Sequence, residues 1–196
     1  LADRAIDRYI VQSTEEMTIF PELWKVSQEK LRFCPFFFSF TEDELRAVQD
    51  APPGEHIFAG GNSLRDYEPL IRAAWCMPER KFIIAARLLE GRPDLPPNVE
   101  AHPVSHLEFV ALMYSSAATV VPIQPGLRRA AGQQTYLNAM WMGKPTIVTD
   151  TLGVRDHIRH KETGMIVNGT AAGYIEALEW IFNPANRHDV ERMTHE

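Results

Sequence analysis

Two stretches of this sequence put glycines and arginines where a phosphate group would need them. The first is Ala59-Gly60-Gly61-Asn62-Ser63-Leu64-Arg65-Asp66-Tyr67, which follows an apolar run and opens a helical pattern. Glycine has no Cβ, so Gly60 and Gly61 let the backbone approach a ligand closely. A helix start offers N–H groups without acceptors to an anion, and Arg65 can add a bidentate fork. The loop lacks the Gly-Lys-Ser/Thr ending of a P-loop and does not match the Gly-x-Gly-x-x-Gly dinucleotide fingerprint. A tight turn carrying a surface arginine is the alternative reading.

The second stretch runs from Pro122 to Thr135 and also lies between a strand pattern and a helix pattern. Arg128 and Arg129 stand just before Gly132, with Gln133, Gln134 and Thr135 in the first helical turn. Guanidinium groups beside a helix N-terminus suit a diphosphate; a solvated basic turn is the plain alternative. From Phe109 to Thr149 there is no Asp or Glu, while Arg128, Arg129 and Lys144 are present. Such an electropositive island in an acidic chain is what a local anion site predicts. A third loop, Asn98 to His106, joins a short strand to a helix that Ser105 could cap. His102 and His106 there read either as acid–base groups or as surface residues.

Other chemistry finds little support. His157 and His160 lack a third ligand at metal-binding spacing, and no metal centre is expected. There is no Gly-x-Ser-x-Gly elbow and no Cys–His pair in context. Cys34 and Cys76 show no motif spacing, which fits a reduced chain.

Positioning these loops requires an α/β framework. The 196 residues, 45% of them hydrophobic, suffice for one large domain or for a domain plus a fragment of another. Twenty basic against 26 acidic residues give a net charge of −6 and a pI near 5.7. That balance opposes nucleic-acid or anionic-membrane binding. No apolar run reaches the length of a membrane span, and Leu1–Ile10 is too charged for a signal peptide. A cytoplasmic chain, or one peripheral to a membrane, is expected. It begins with Leu1, so it is read as cut from a longer protein.

Apolar runs predict strands at Ile6–Gln12, His56–Ala59, Phe82–Ala86, Val99–Ala101, Thr119–Val121, Thr146–Thr149 and Met165–Val167. Helical patterns lie near Thr14–Trp24, at Leu64–Trp75, His106–Tyr114, Gln133–Met142 and Ala172–Phe182, with a Thr41/Glu44 capping box opening a short helix. Strand–helix alternation predicts a Rossmann-like, doubly wound parallel sheet of six strands from His56 to Val167. Residues 1–50 read as the end of a preceding domain plus a connector, and 51–196 as the main, Rossmann-like domain. The aromatic run from Phe33 to Phe40 is expected in core or interdomain packing.

Four segments in this order carry a family resemblance: AGGNSLRDYEPLIRAA, PPNVEAHPV, GQQTYLNAMWMGKPTIVTDTLGVRDHI and ETGMIVNG. The chain resembles the C-terminal, donor-binding half of GT-B-fold glycosyltransferases, similar to the retaining group 1 type. The run from Gly132 to Thr149 is the most specific part, and IDRYIVQSTEE resembles the last strand of the N-terminal domain. The resemblance implies a hexosyltransferase-like enzyme that uses a nucleotide-diphosphate sugar (UDP or GDP), with no further cofactor. It also implies an N-terminal GT-B domain as partner and a glycan, lipid or small molecule as acceptor. By position, Gly60, Gly61 and Arg65 match the first phosphate loop, and Gly132, Gln133, Gln134 and Thr135 the pyrophosphate helix. Val104 matches the backbone contact to the base. The retaining branch has two glutamates where this chain has Ala130 and Asn138; Asn138 could still bond a ribose hydroxyl.

Breaking a sugar–diphosphate bond builds charge on phosphate oxygens, and preorganised donors stabilise that charge. Arg65, with Arg128 or Arg129, and the Gly132 helix start are the groups expected to do so. A sugar-nucleotide epimerase and a catalytically silent nucleotide-binding module are the competing readings.

Overall fold

A computed structural model of the protein describes residues 2–195; Leu1 and Glu196, the outer bounds of the two predicted domains, lie outside the described residues. Six strands form one parallel sheet: β3 (Ile57–Gly60), β4 (Phe82–Ala85), β5 (Val99–His102), β6 (Ala118–Val121), β7 (Thr146–Thr149) and β8 (Met165–Val167). Their order is β5-β4-β3-β6-β7-β8, the doubly wound order in which the first and fourth strands of the sheet lie side by side. Five of these strands, β3, β4, β6, β7 and β8, are buried along their whole length, as a sheet covered on both faces requires.

The covering helices follow from strand alternation. Ile57, Ala59, Val120 and Ile147 point into a core shared with α3 (Glu68–Cys76) and α6 (Ala171–Phe182). On the opposite face Phe58 meets Val110 and Met113 of α4 (His106–Ser115), and Val121 and Val148 meet Tyr136 of α5 (Gln133–Trp141). A last helix, α7 (Arg187–Met193), closes the chain and has no counterpart in the sequence expectations.

The first strand is shorter than predicted. β1 (Tyr9–Val11) pairs in parallel with β2 (Leu31–Phe33), and α1 (Glu16–Trp24) crosses between them. β2 has no counterpart in the sequence expectations: it lies just ahead of the aromatic run and shares only Phe33 with it. Of that run, Phe40 is in the core and Phe38 stacks on Trp141 at 4.1 Å and 6°, but Phe37 is 73% exposed.

The predicted helix from Leu64 also needs correction. Leu64 has φ 56°, Arg65 bridges to Ile123, and α3 begins only at Glu68. The apolar periodicity continued upstream because Leu64 packs on the core while in loop conformation.

The capping box of α2 (Glu42–Val48) is formed: Glu44 accepts from Thr41 N at 2.6 Å and Thr41 Oγ1 at 2.8 Å, and meets His106. These bonds, the backbone one foremost, hold the Glu44 carboxyl at about 2 against an ordinary 4.5. A depressed carboxylate stabilises the fold above its unfolded value and loses that contribution as pH falls. The gap in urea midpoint between the native chain and Glu44→Gln should therefore shrink between about pH 5 and pH 2. A gap that stays constant over that range would contradict this assignment.

Candidate functional site

Ligands of doubly wound sheets sit beyond the carboxyl ends of the strands, where the strand order reverses. Here that point lies between β3 and β6, so the Gly60 and Pro122 loops are neighbours. They are stitched by Asp66 N to Pro122 O at 3.0 Å and Gln124 N to Leu64 O at 3.0 Å. Tyr67 OH holds Gly61 O at 2.7 Å, and Thr149 Oγ1 accepts from Ile123 N at 2.9 Å. Both loops are thus anchored to the sheet.

Between them lies a cleft of about 270 Å³ lined by Gly61, Asn62, Ser63, Leu64, Arg65, Arg129, Ala131, Gly132, Gln134 and Thr135. None of these residues is acidic. Gly60 ends β3 with a Cβ position that would collide with the Phe109 ring, and Gly61 adopts φ 110°. Gly132 caps α5 at φ 75°, and a Cβ there would fall 2.8 Å from Ile123 Cδ1. The backbone N–H groups of Gly132, Gln133 and Gln134 have no acceptor among the described residues. With no acid in its first turn, this nine-residue helix presents an open, positive end.

Arg65 is the centre of the site. It is only 8% exposed. Its guanidinium donates to Gly60 O at 3.3 Å, Ser63 O at 2.9 Å and Thr135 Oγ1 at 3.0 Å. All three acceptors are neutral, and Arg65 makes no ion pair among the described residues. Burial pushes its pKa below the ordinary value. A desolvated cation without a counterion is costly, and a bound anion offsets that cost.

The other predicted residues divide. Arg129 and Gln134 line the cleft beside Arg65, with Thr135 tying the two loops. Arg128 lines a neighbouring groove of about 790 Å³ that shares Arg129 with the cleft. That groove is mainly apolar, walled by Ile10, Ile19, Phe20, Leu23 and Trp24 among others, so the smaller cleft is the better match for phosphate. Gln133 turns away, donating to Gln12 O at 2.7 Å. Asn138 is buried at 1% exposure, its Oδ1 taking Ser39 N at 2.7 Å and its Nδ2 reaching Ser39 Oγ at 3.2 Å. Val104 follows β5 and packs on the Phe40–Phe58 cluster. His102 is half-buried and His106 exposed, and they pair with Glu100 and Glu44. Among the described residues no three His, Cys, Asp or Glu side chains gather as a metal site, and no helix is long and apolar enough to cross a membrane.

Sequence reasoning missed Tyr67 and the segment from Gln12 to Glu16, which crosses the second loop. No local signal marks the latter; its partners lie more than a hundred residues away.

The family described as glycosyl transferases group 1 matches residues 64–183. No curated protein gives a significant match. Among solved structures, Anabaena HepE in complex with UDP and glucose is 15% identical at a TM-score of 0.75, covering 98% of this chain and 59% of that one. Sucrose-phosphate synthase from Thermosynechococcus elongatus is 19% identical at 0.72, covering 99% and 54%. A glycosyltransferase from Rickettsia africae is 14% identical at 0.71, covering 97% and 57%. The chain spans less than two thirds of each of these structures, and at such identities the likeness speaks for the fold.

Proposed function

The chain belongs to the glycosyl transferases group 1 family, and from that premise we propose that it binds the diphosphate of a nucleotide-sugar donor in the cleft between Gly61 and Gly132. The observation that carries this reading is Arg65, a buried guanidinium whose partners are all neutral. The open amides of α5 and the guanidinium of Arg129 complete the donor set. The base would reach across β4 towards Val104, about 10 Å away at two strand spacings.

Departure of the diphosphate concentrates negative charge on its oxygens. Arg65, Arg129 and the helix end are already oriented there, so they favour the transition state over the bound donor. Arg128, facing the adjoining groove, stands on the side from which an acceptor would come. The enzyme we envisage transfers a hexosyl group with retention to a glycan, lipid or small molecule. Residues 1–50 would be the end of an N-terminal domain, and 51–196 the donor domain. The similar HepE structure, solved with UDP and glucose, and the likeness to a sucrose-phosphate synthase support a UDP-sugar first.

A thermal-shift series with UDP, GDP, ADP and their glucose conjugates tests the proposal. The right nucleotide at 100 times its Kd should stabilise the fold by about 2.7 kcal/mol, and inorganic phosphate by much less. No shift with any of them would refute it. A silent binding module remains the second reading, favoured by the engagement of Asn138 with Ser39 and by the apolar side chain at Ala130. Nucleotide binding without donor hydrolysis or transfer in the complete protein would select it. The acid-free lining of the cleft disfavours an epimerase.

A further inference from the structure

Between the stitched residue Gln124 and the helix cap Gly132, the arginine loop has almost no backbone support. From Pro125 to Ala131, Ala130 N is the only backbone N–H with an acceptor among the described residues, and that acceptor is Glu16 Oε1 at 2.8 Å. Apolar packing of Leu127 and Ala131 is the other restraint. Glu16 is itself fixed: its Oε2 accepts from Gln12 N at 3.1 Å, and its own N–H donates to Ser13 Oγ at 3.1 Å. Next to it, Glu15 Oε2 accepts from Gly153 N at 2.6 Å, while Thr14 N and Oγ1 donate to Asp156 at 2.8 and 2.5 Å. This short segment is a clasp on the carboxyl edge of the large sheet.

We propose that Glu16 is a positioning residue for the donor site, holding the arginine loop by Ala130 N so that Arg129 faces the cleft. The inference rests on the reading of that cleft as a diphosphate site. A single bond at Ala130 acts on Arg129 directly, because the two residues are adjacent and the loop has no ladder to share the load. The role needs an acceptor oxygen and not a charge, since Glu16 touches amides and no cation in the site. A purely electrostatic role would behave oppositely, because a carboxylate near Arg128 and Arg129 competes with an anionic ligand.

The test uses the whole chain and the tightest binder among UDP, GDP and ADP. Glu16→Ala should weaken binding about tenfold, while Glu16→Gln, which keeps one carbonyl acceptor for Ala130 N and gives up the bond from Gln12 N, should stay within about threefold of the native chain. Arg129→Ala should cost much less affinity in the Glu16→Ala background than in the native one, because the two act as a unit. Amide exchange at Ala130 should speed up in Glu16→Ala without any nucleotide present. Equal losses for Arg129→Ala in both backgrounds, or unchanged exchange at Ala130, would overturn the positioning role. If none of the nucleotides binds the native chain, the donor reading fails, and the role falls with it.

Discussion

Replacing Arg65 with Ala is expected to lower affinity for the nucleotide diphosphate by about 1.5–3 kcal/mol, roughly 10- to 150-fold, the range for hydrogen bonds to charged groups. The stability of the unliganded fold should change far less than that loss suggests. Two effects oppose each other there. Gly60 O, Ser63 O and Thr135 Oγ1 lose their donor, but the cost of burying an uncompensated cation disappears. The bound state has no such offset, since the phosphate charge would meet an empty corner. Arg65→Lys should fall between, because one ammonium cannot reach both loops as the planar fork does. Calorimetric titration of the variants reads the affinity and urea unfolding reads the fold. Equal affinity in native and Arg65→Ala proteins would remove Arg65 from the site.

The second large effect is expected at Gly132. An alanine there must hold φ 75° and place its Cβ 2.8 Å from Ile123 Cδ1 and 3.1 Å from Val121 Cγ1. The left-handed backbone costs about 1–2 kcal/mol for a residue with a Cβ. Overpacking against a filled core adds about 1–3 kcal/mol. Together they predict a loss of about 2–5 kcal/mol, seen as a fall in Tm of about 4–20 °C for a chain of this size. Nucleotide binding should fall as well, because the α5 amides shift with the cap. Gly126→Ala is the control, since it shares the positive φ but has open space around it. A Gly132→Ala variant no less stable than Gly126→Ala would show that the contact with Ile123 does not constrain the cap.

The framework was legible because its strands are short apolar runs bounded by turn residues. Thr146–Thr149 and Met165–Val167 form as read; three other main-sheet strands differ by a residue at one end, and β3 is shifted by a residue at both. Caps were legible for the same local reason: Thr41 and Ser105 each accept an N–H from the residue three positions on. The cleft was legible in part. Glycines before a helix and an arginine beyond them announce a local anion site, and Arg65, Arg129 and Gly132 do line one cleft. What stayed hidden is set by long-range contact. Nothing near Asn138 in sequence says that its amide is taken by Ser39, nor does Glu16 announce Ala130 as its partner. Leu64 misled because apolar spacing does not record φ, and a leucine can fill a core from a left-handed turn.

The bond from Arg65 to Thr135 spans 70 residues of chain, and it closes only when β3 and β6 have found each other. Such pairing demands loop-closure entropy that only the assembled sheet repays. No subfragment holding one of the two loops can therefore mimic half of the cleft, and on the proposed reading affinity for nucleotide would be a gauge of completed folding. Partially folded chains should ignore the ligand, so its stabilising effect acts on the native population alone.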